Sequence, residues 1–380
     1  MNYFTEYRKT GKMIKKISTL FILIGVLGFG FQFLPESSKL SIFTSIEKPW
    51  ARIRPSKPGS FIQEDILQAK LKKGLPEWAK KQIEEDLSHF PKISKAELDS
   101  IYQAENSAHN SLARITIKNK TVHIETKDSE THKRRSYKIM KNVLEFLAKK
   151  GYVQDTDFVM SLQDYLILEN PKKLPILVFA KDVSVPYEQD LILIPDWMNL
   201  RNWADLRPRI KYASHLYPWE KKQPILFWRG GFADKSGFRR KLIAMADKYP
   251  TLINAKFSQD NPKEYVSEEK HVQYKYQLTV DGVRGTWERL VWQLQSNSLV
   301  LKHQSNHVQW FYKGIEPYVD YIPVTDEGSL LNQIAWAESH PEEAKKIIQH
   351  AVHFADDNLT LEDMVHYLIV VLQTYTEKMT

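Results

Sequence analysis

The sequence predicts an α/β protein made of two doubly wound units, because short apolar strands alternate with amphipathic helices along most of the chain. Its 380 residues, of which 42% are hydrophobic and 12% aromatic, are enough to bury a sizeable core. This length favours about two domains. We place the boundary near residue 220 and expect ligands at the carboxyl ends of the strands.

The first unit, residues 76–220, is predicted from local periodicity. Its elements are helices over 82–90 and 94–102, a hairpin over 114–125, a helix over 137–150, and strands over 158–162, 175–179 and 191–194. The hairpin turns at Asn119 and Lys120. Gly151 ends the helix over 137–150. The strands are short and rich in Leu or β-branched residues, which is typical of buried strands.

The second unit, residues 221–380, repeats the pattern. Strands are predicted over 225–228, 277–280, 298–301 and 319–324, and helices over 236–247, from residue 286, and over 329–339, 341–356 and 361–378. Ser236 and Thr286 stand where helix N-caps are expected.

The amino terminus predicts a membrane anchor. Residues 17–34 carry no charge and follow a basic tail, residues 1–16. As a helix the run would be about 27 Å long, close to a hydrocarbon core of about 30 Å. A cleaved signal peptide and a helix lying on the membrane surface remain alternatives. Residues 35–75, rich in Pro, Ser and Lys, are predicted to be a stalk.

The composition excludes several classes of protein. There is no cysteine, which excludes disulfides, thiolate metal sites and a cysteine nucleophile, and favours a bacterial catalytic domain facing the cytoplasm. A basic flank before the anchor nominally favours the opposite sidedness. The net charge of +8 favours anionic partners, but no nucleic-acid-binding motif is present. No nucleophile elbow, Walker loop, dinucleotide fingerprint or zinc-binding histidine pair occurs, so we expect no metal and no cofactor.

Two segments are suited to bind a diphosphate. In the first, Arg229, Gly230 and Gly231 end a strand, and Arg239 lies in the first turn of the following helix. A glycine loop lets backbone N–H groups approach an anion, and an arginine there can grip phosphate oxygens. The alternative is an ordinary turn between strand and helix with solvated arginines.

The second segment has the same design. The residues of this segment that we expect to bind a ligand carrying a diphosphate are Asp281, Gly285, Thr286, Trp287 and Arg289. Two such segments facing one crevice would neutralise a departing diphosphate without a metal. The alternatives are core packing for Trp287 and a turn role for Asp281.

Carboxylates that follow or precede one strand are candidates for catalysis. Asp164 comes just after the strand over 158–162 and can accept a proton from an attacking hydroxyl. Asp155 and Asp157 form an Asp-x-Asp pattern, which looks like the one that holds a cation in metal-dependent glycosyltransferases, but a polar turn before the strand is the favoured interpretation.

The ordered series of motifs resembles the CAP10 family, which includes the LpsA-type lipopolysaccharide-modifying proteins and the protein O-glucosyltransferases. The stretches that carry the resemblance are Trp228-Arg229-Gly230-Gly231, Tyr274-Lys275-Tyr276, Ser298-Leu299-Val300-Leu301, Trp310-Phe311-Tyr312 and Tyr321-Ile322-Pro323-Val324, with weaker echoes at 83–90 and 155–165. The sequence departs from the family at Gly231, where animal members have serine, and at Leu166, where a proline is frequent.

The resemblance implies a GT-B-like fold of two Rossmann-type domains with a crevice between them. It also implies metal-independent inverting transfer from a UDP-sugar, with Asp164 as the base and donor contacts at Arg229, Gly230, Gly231, Arg239 and residues 283–289. We therefore predict a membrane-bound transferase that moves a hexose or pentose to a glycan or lipid-linked glycan, such as lipopolysaccharide. Two alternatives stay open: a catalytically silent glycan- or nucleotide-binding protein of the same fold, and a metal-dependent GT-A enzyme using Asp155 and Asp157.

Overall fold

Helices and strands alternate along the chain as predicted, and most predicted elements are present. The structure is a computed structural model, and it describes residues 62–104, 111–164, 166, 174–259 and 261–380. The helices are α1 (Glu64–Lys73), α2 (Glu77–Ser88), α3 (Lys95–Ala104), α4 (Arg135–Lys150), α5 (Trp197–Leu216), α6 (Phe238–Lys248), α7 (Glu268–His271), α8 (Glu288–Leu294), α9 (Glu327–Ser339), α10 (Pro341–Asn358) and α11 (Leu361–Glu377). The strands are β1 (Leu112–Lys118), β2 (Thr121–Thr126), β3 (Thr156–Ser161), β4 (Ile176–Val178), β5 (Lys181–Asp182), β6 (Ile192–Leu193), β7 (Gln223–Gly230), β8 (Ile253–Phe257), β9 (Tyr274–Thr279), β10 (Leu299–His303), β11 (His307–Val308) and β12 (Ile322–Val324).

The first sheet has the strand order β2-β1-β3-β4-β6 and is mixed. β1 pairs antiparallel with both β2 and β3, whereas β3, β4 and β6 run parallel. Asn119 and Lys120 have φ angles of 50° and 62°, the left-handed values that a two-residue hairpin turn requires. The predicted hairpin is confirmed, because so short a turn can join only antiparallel strands. With β1 also antiparallel to β3, the first half is not the wholly parallel sheet of an ideal Rossmann-type domain.

The second sheet is fully parallel, with the order β12-β10-β9-β7-β8. From β7 the chain passes to β8 on one side and then to β9 on the other, so the winding reverses between β7 and β9. The carboxyl ends of strands at such a reversal form a crevice in which α/β proteins bind ligands. The core beneath contains Leu226, Trp228, Tyr276 and Leu278, all fully buried.

Two elements join the halves. β5 pairs antiparallel with β11, so a strand that lies between β4 and β6 in the chain meets one that follows β10. Helix α5 is 20 residues long and was not predicted, because Pro208 interrupts its pattern. Asp196 caps it by accepting hydrogen bonds from the N–H groups of Met198 and Asn199, each at 3.0 Å.

The last helix, α11, returns to the first half, although it lies within the residues predicted to form the second unit. The Tyr375 hydroxyl donates to the carbonyl of Pro175 at 3.1 Å, and Met379 forms a parallel bridge with Ile93. Helix α1 packs beside it, with Leu67 fully buried. The last part of the predicted stalk is therefore folded. The prediction missed this helix because α1 is polar apart from a few residues, and its composition resembles that of a linker.

The predicted basic tail and membrane anchor, residues 1–34, lie outside the described residues. In the part of the chain that the structure describes, no helix combines the length and the apolar composition that crossing a bilayer requires.

Candidate functional site

A cavity of about 230 Å³ lies at the carboxyl end of β7, where the winding of the second sheet reverses. We call it the arginine pocket. The predicted donor-binding residues that line it are Arg229, Gly230, Arg239, Thr286, Trp287 and Arg289. The other lining residues are Met198, Ser258, Tyr265, Val266, Glu268, His271, Glu288 and Trp292. Residues from β7, α6 and α8 thus meet around one space, as their spacing predicts.

Arg229 forms part of the floor, and its side chain is 8% exposed. Its Nη1 and Nη2 atoms donate to the backbone and side-chain oxygens of Asn254, at 3.0 and 2.9 Å. The guanidinium stacks 4.3 Å from the ring centroid of Phe227. Burial lowers the pKa of Arg229, and its Nε–H has no hydrogen-bond partner among the described residues. This donor is therefore both unpaired among the described residues and shielded from solvent.

Arg239 and Arg289 complete a group of three cations. Arg239 donates to the carbonyls of Gly231 (3.0 Å) and Val280 (2.9 Å), which ties the loop after β7 to the end of β9. Arg289 donates to the carbonyl of Arg229 at 2.6 Å. Burial and, to a smaller extent, the charge of Arg239 lower the pKa of Arg289 to about 10.

Each of these two arginines also keeps a free donor. Within the described chain, Nε of Arg239 and Nη1 of Arg289 are shielded from solvent and have no hydrogen-bond partner. Shielded cationic N–H groups of this kind are costly unless an acceptor occupies the space between them. The pocket is therefore suited to an anion with several oxygens.

Gly230 and Gly231 have different roles. A Cβ atom at Gly230 would lie 2.5 Å from the buried Trp228 ring, so the strand needs glycine there. Gly231 does not line the pocket. Its carbonyl accepts from Arg239, and a Cβ atom there would lie 2.3 Å from Oε1 of Gln259.

Asp281 lies outside the pocket. Its Oδ2 atom accepts a hydrogen bond from the Ser305 hydroxyl and lies 3.1 Å from Nδ1 of His307. His307 also approaches Asp182 of β5, with Nε2 3.4 Å from Oδ2. Asp281 therefore holds the loop after β9 in place, which fits the turn role that the sequence left open.

Arg284 ties the same loop to the first half of the molecule. Its Nη2 atom donates to Oε1 of Glu188, and Nη1 lies 3.4 Å from Oδ2 of Asp182. Burial raises the pKa of Glu188, and the hydrogen bond from the Asp182 N–H and the charge of Arg284 oppose this. A buried ion pair therefore fixes the loop that carries residues 285–287.

Gly285 and Thr286 shape the approach to α8. Gly285 has a φ of 57°, and its carbonyl accepts from the N–H of Gly282 at 3.0 Å. The Thr286 hydroxyl lies 3.0 Å from Oε1 of Gln309 and donates to it. Thr286 does not cap α8 with its side chain as predicted, because Gln309 competes successfully for that hydroxyl.

Trp287 holds a strained backbone conformation, with φ 55° and ψ −138°. For a residue with a side chain this conformation costs about 1–3 kcal/mol, and such strain is concentrated at functional sites. The indole packs edge-on against Phe179, with ring centroids 6.2 Å apart. Trp287 therefore lines the pocket and also contacts the residue that follows β4.

Three ionisable residues of the pocket were not singled out as site residues from the sequence: Glu268, His271 and Glu288. Burial raises the pKa of both glutamates and lowers that of His271 well below its ordinary value. Glu288 stands inside the motif that contains Trp287, and this position could have revealed it. Glu268 and His271 lie in a polar stretch without a motif.

Asp164 lies three residues beyond β3 and does not line the arginine pocket. Because β3 and β4 are parallel neighbours, Asp164 lies at the same edge of the first sheet as Phe179, which contacts Trp287. Its side chain is exposed, but the protein packed around it raises the pKa of the carboxyl, and Arg134 opposes this shift. Its catalytic role stays a prediction.

Asp155 and Asp157 lie at the opposite, amino end of β3. Asp155 Oδ1 accepts from the N–H of Asn119 at 2.8 Å, and Asp157 Oδ1 accepts from the Thr116 hydroxyl at 2.6 Å. Arg114 lies 3.1 Å from Asp157. These contacts within the hairpin and its neighbour account for both carboxylates.

His303 and His307, which are four positions apart in the sequence, contact other residues: His303 stacks on Phe238 at 4.2 Å, and His307 belongs to the Asp281 network. Over the ranges that the structure describes, no three histidine or carboxylate side chains gather as metal ligands.

Comparison with known proteins gives relatives of one kind. The chain is 31% identical over 319 residues to protein O-glucosyltransferase 2 of Danio rerio, covering 78% of this chain and 61% of that one. It is 27% identical over 322 residues to protein O-glucosyltransferase 3 of Homo sapiens, with the same coverages of 78% and 61%. The chain thus spans about three fifths of the length of these relatives.

A solved structure, Anabaena Alr3699/HepE in complex with UDP, aligns with 53% of this chain and 73% of that one, at 9% identity and a TM-score of 0.33. That likeness is too low to carry an argument. The sequence profile described as glycosyl transferase family 90, by contrast, matches residues 76–380. Since this match covers most of the chain, the protein belongs to glycosyl transferase family 90, the CAP10-like family of glycosyltransferases that its motifs indicated.

Proposed function

We propose that the protein transfers a hexose or pentose from a UDP-sugar to a hydroxyl of a glycan acceptor by a metal-independent inverting displacement. The observation that carries this proposal is the arginine pocket itself. Three arginines, each with a shielded N–H that lacks a partner in the described chain, surround one space where the parallel sheet reverses its winding.

A diphosphate fits this space by charge and by hydrogen bonding. The mutual repulsion of Arg239 and Arg289 lowers the pKa of Arg289, so an anion between them relieves an unfavourable interaction. As the bond from the sugar to the diphosphate breaks, negative charge develops on the leaving oxygen. Cations already fixed in place stabilise that charge without reorganising, which is the usual origin of catalysis in such reactions.

The second catalytic group is Asp164, at the carboxyl edge of the first sheet. In the proposed step the acceptor oxygen attacks the anomeric carbon, the bond from that carbon to the diphosphate oxygen breaks, and the acceptor proton moves to Asp164. A carboxylate with a raised pKa is a stronger base for this transfer while it stays ionised at neutral pH. The two sheets, one followed by Asp164 and the other carrying the arginine pocket at its carboxyl edge, support a GT-B-like arrangement.

The acceptor and the location are proposed from the composition and from the relatives. The relatives are named protein O-glucosyltransferases, and the lack of cysteine and the abundance of lysine favour a bacterial glycan, such as lipopolysaccharide or a lipid-linked glycan. We place the protein at a membrane through residues 17–34, with the catalytic part in the cytoplasm. It requires no metal and no cofactor beyond the sugar donor, and it has no nucleic-acid partner.

The test is UDP release from a panel of UDP-sugars by the full chain in mild detergent, with and without EDTA. Asp164→Asn should abolish turnover while binding of UDP is retained. Asp155→Asn, at the other end of β3, is the matched control and should stay active.

Equal activity of Asp164→Asn and wild type would refute the assignment of the base. Loss of activity in EDTA would refute the metal-independent step. Binding of a UDP-sugar without turnover on any glycan acceptor would favour the catalytically silent alternative.

A further inference from the structure

The polar lining of the arginine pocket includes hydrogen-bond acceptors as well as cations. Glu268, Glu288 and His271 line the same 230 Å³ space as the three arginines. His271 is 3% exposed, and Nε2 donates to the carbonyl of Val266 at 3.3 Å. Its Nδ1 atom is therefore an acceptor, and it has no partner within the described ranges. The pocket is thus lined by two glutamates and by a histidine whose Nδ1 atom is unpaired within the described ranges.

The two glutamates differ in their partners. Oε2 of Glu288 accepts a hydrogen bond from Nδ2 of Asn202 at 2.8 Å, which fixes its carboxylate. Glu268 receives no side-chain hydrogen bond from the residues that the structure describes, and the charge of Glu288 raises its pKa in addition to burial. Both carboxylates can therefore accept further hydrogen bonds, and both residues line the pocket.

A diphosphate alone does not satisfy such a lining. Phosphate oxygens only accept hydrogen bonds, so they suit the arginines but repel the carboxylates. A ligand that complements the whole pocket carries an anion at one end and O–H donors at the other. A sugar diphosphate has this distribution, because its hydroxyl groups follow the phosphates directly.

The position of Glu288 indicates which part of the donor it meets. Its partner Asn202 lies in α5, which begins just after β6 of the first sheet. β6 and β3 are parallel strands of that sheet, so α5 begins at the edge where Asp164 lies. In the proposed reaction, the transferred sugar must lie between the diphosphate and Asp164. Glu288 is therefore on the side of the pocket that the sugar occupies.

We propose that Glu268 and Glu288 bind hydroxyl groups of the transferred sugar and exclude donors whose sugar carries a carboxylate. This inference rests on the proposed function and adds to it the two residues that select a neutral sugar. A uronic acid would place a third negative charge against two partly buried carboxylates. Like charges placed together in this way are a strong means of rejecting a wrong ligand.

The experiment compares the binding of UDP, UDP-glucose and UDP-glucuronate to the full chain by calorimetry. Wild type should bind UDP-glucose at least about tenfold more tightly than UDP-glucuronate, because the latter brings a like charge to the glutamates. Glu268→Gln and Glu288→Gln should each lower this preference by about tenfold, since the amide is neutral and can donate to a carboxylate. Glu343→Gln, at an exposed position of α10, is the matched control and should keep the full preference.

Binding of UDP alone distinguishes contacts made to the sugar from contacts made to the nucleotide. Its affinity should change less than about threefold in both pocket variants, and thermal melting should show that they are folded. An unchanged preference with tight binding of UDP-glucose would overturn this inference alone. So would an equal loss of affinity for UDP and UDP-glucose, which would place the glutamates against the nucleotide. Failure of wild type to bind any UDP-sugar would overturn the proposed function and this inference together.

Discussion

The buried ion pair between Arg284 and Glu188 gives a sharp prediction about stability. In the Arg284→Met variant the stem of the side chain is kept and the guanidinium is lost. Glu188, 2% exposed, then has no cation beside it, and Asp182 loses one as well. Breaking a buried pair from one side typically costs about 3–5 kcal/mol. We expect the free energy of unfolding to fall by about 3 kcal/mol, at the lower end of this range. Burial already raises the pKa of Glu188, so protonation of its carboxyl relieves part of the cost.

The assay is urea unfolding at pH 7, followed by tryptophan fluorescence. The double variant Arg284→Met with Glu188→Gln removes both charges and should recover at least half of the loss, since Gln still accepts from the Asp182 N–H. Arg240→Met is the control, because Arg240 is exposed and its loss should change the free energy of unfolding by less than about 0.5 kcal/mol. A cost below about 1 kcal/mol for Arg284→Met, or no recovery in the double variant, would refute the reasoning.

Three further predictions concern buried or shielded groups. Burial lowers the pKa of Lys222 to about 7, so the folded state binds fewer protons than the unfolded state between pH 7 and 10. The free energy of unfolding should therefore rise by about 2 kcal/mol from pH 7 to 9, and Lys222→Met should lack this rise in denaturation measured at each pH. Gly230→Ala should lower the free energy of unfolding by about 1–3 kcal/mol, because its Cβ meets the Trp228 ring, and an unchanged melting temperature would contradict this. Arg134→Met should move the acidic limb of kcat/KM to higher pH, because Arg134 lowers the pKa of Asp164; a limb that stays in place would exclude Asp164 as the titrating base.

The local parts of the fold could be predicted from the sequence. The turn at Asn119 and Lys120 and the end of α4 at Gly151, which has a φ of 75°, depend on residues with special backbone preferences. The antiparallel pairing of β1 with β2 also followed from that turn. The antiparallel pairing of β1 with β3 did not, because it joins segments that are distant in the sequence. Helix α5 was missed because Pro208 lies within it.

The arginines of the pocket were predictable because each stands next to the end of a strand, and parallel strands end at one edge. Other features depend on contacts between distant segments. Asp281 holds His307, and Thr286 hydrogen-bonds Gln309, although both residues look like ligand-binding groups in the sequence. The strain at Trp287 has no signature in the sequence, because tryptophan has no preference for that backbone conformation.

The return of α11 to the first half sets a condition on the order of folding. The N–H of Gln63 donates to Oε1 of Glu362, 299 positions later, and Met379 pairs with Ile93. During synthesis on a ribosome, the first half must therefore wait for the last helix before its packing is complete. Contacts of such high sequence separation slow folding and leave apolar surface exposed in the meantime. A chain truncated before residue 361 would contain every residue of the arginine pocket. We expect it to need chaperones to stay soluble, because the apolar surface that α11 covers would be exposed to solvent.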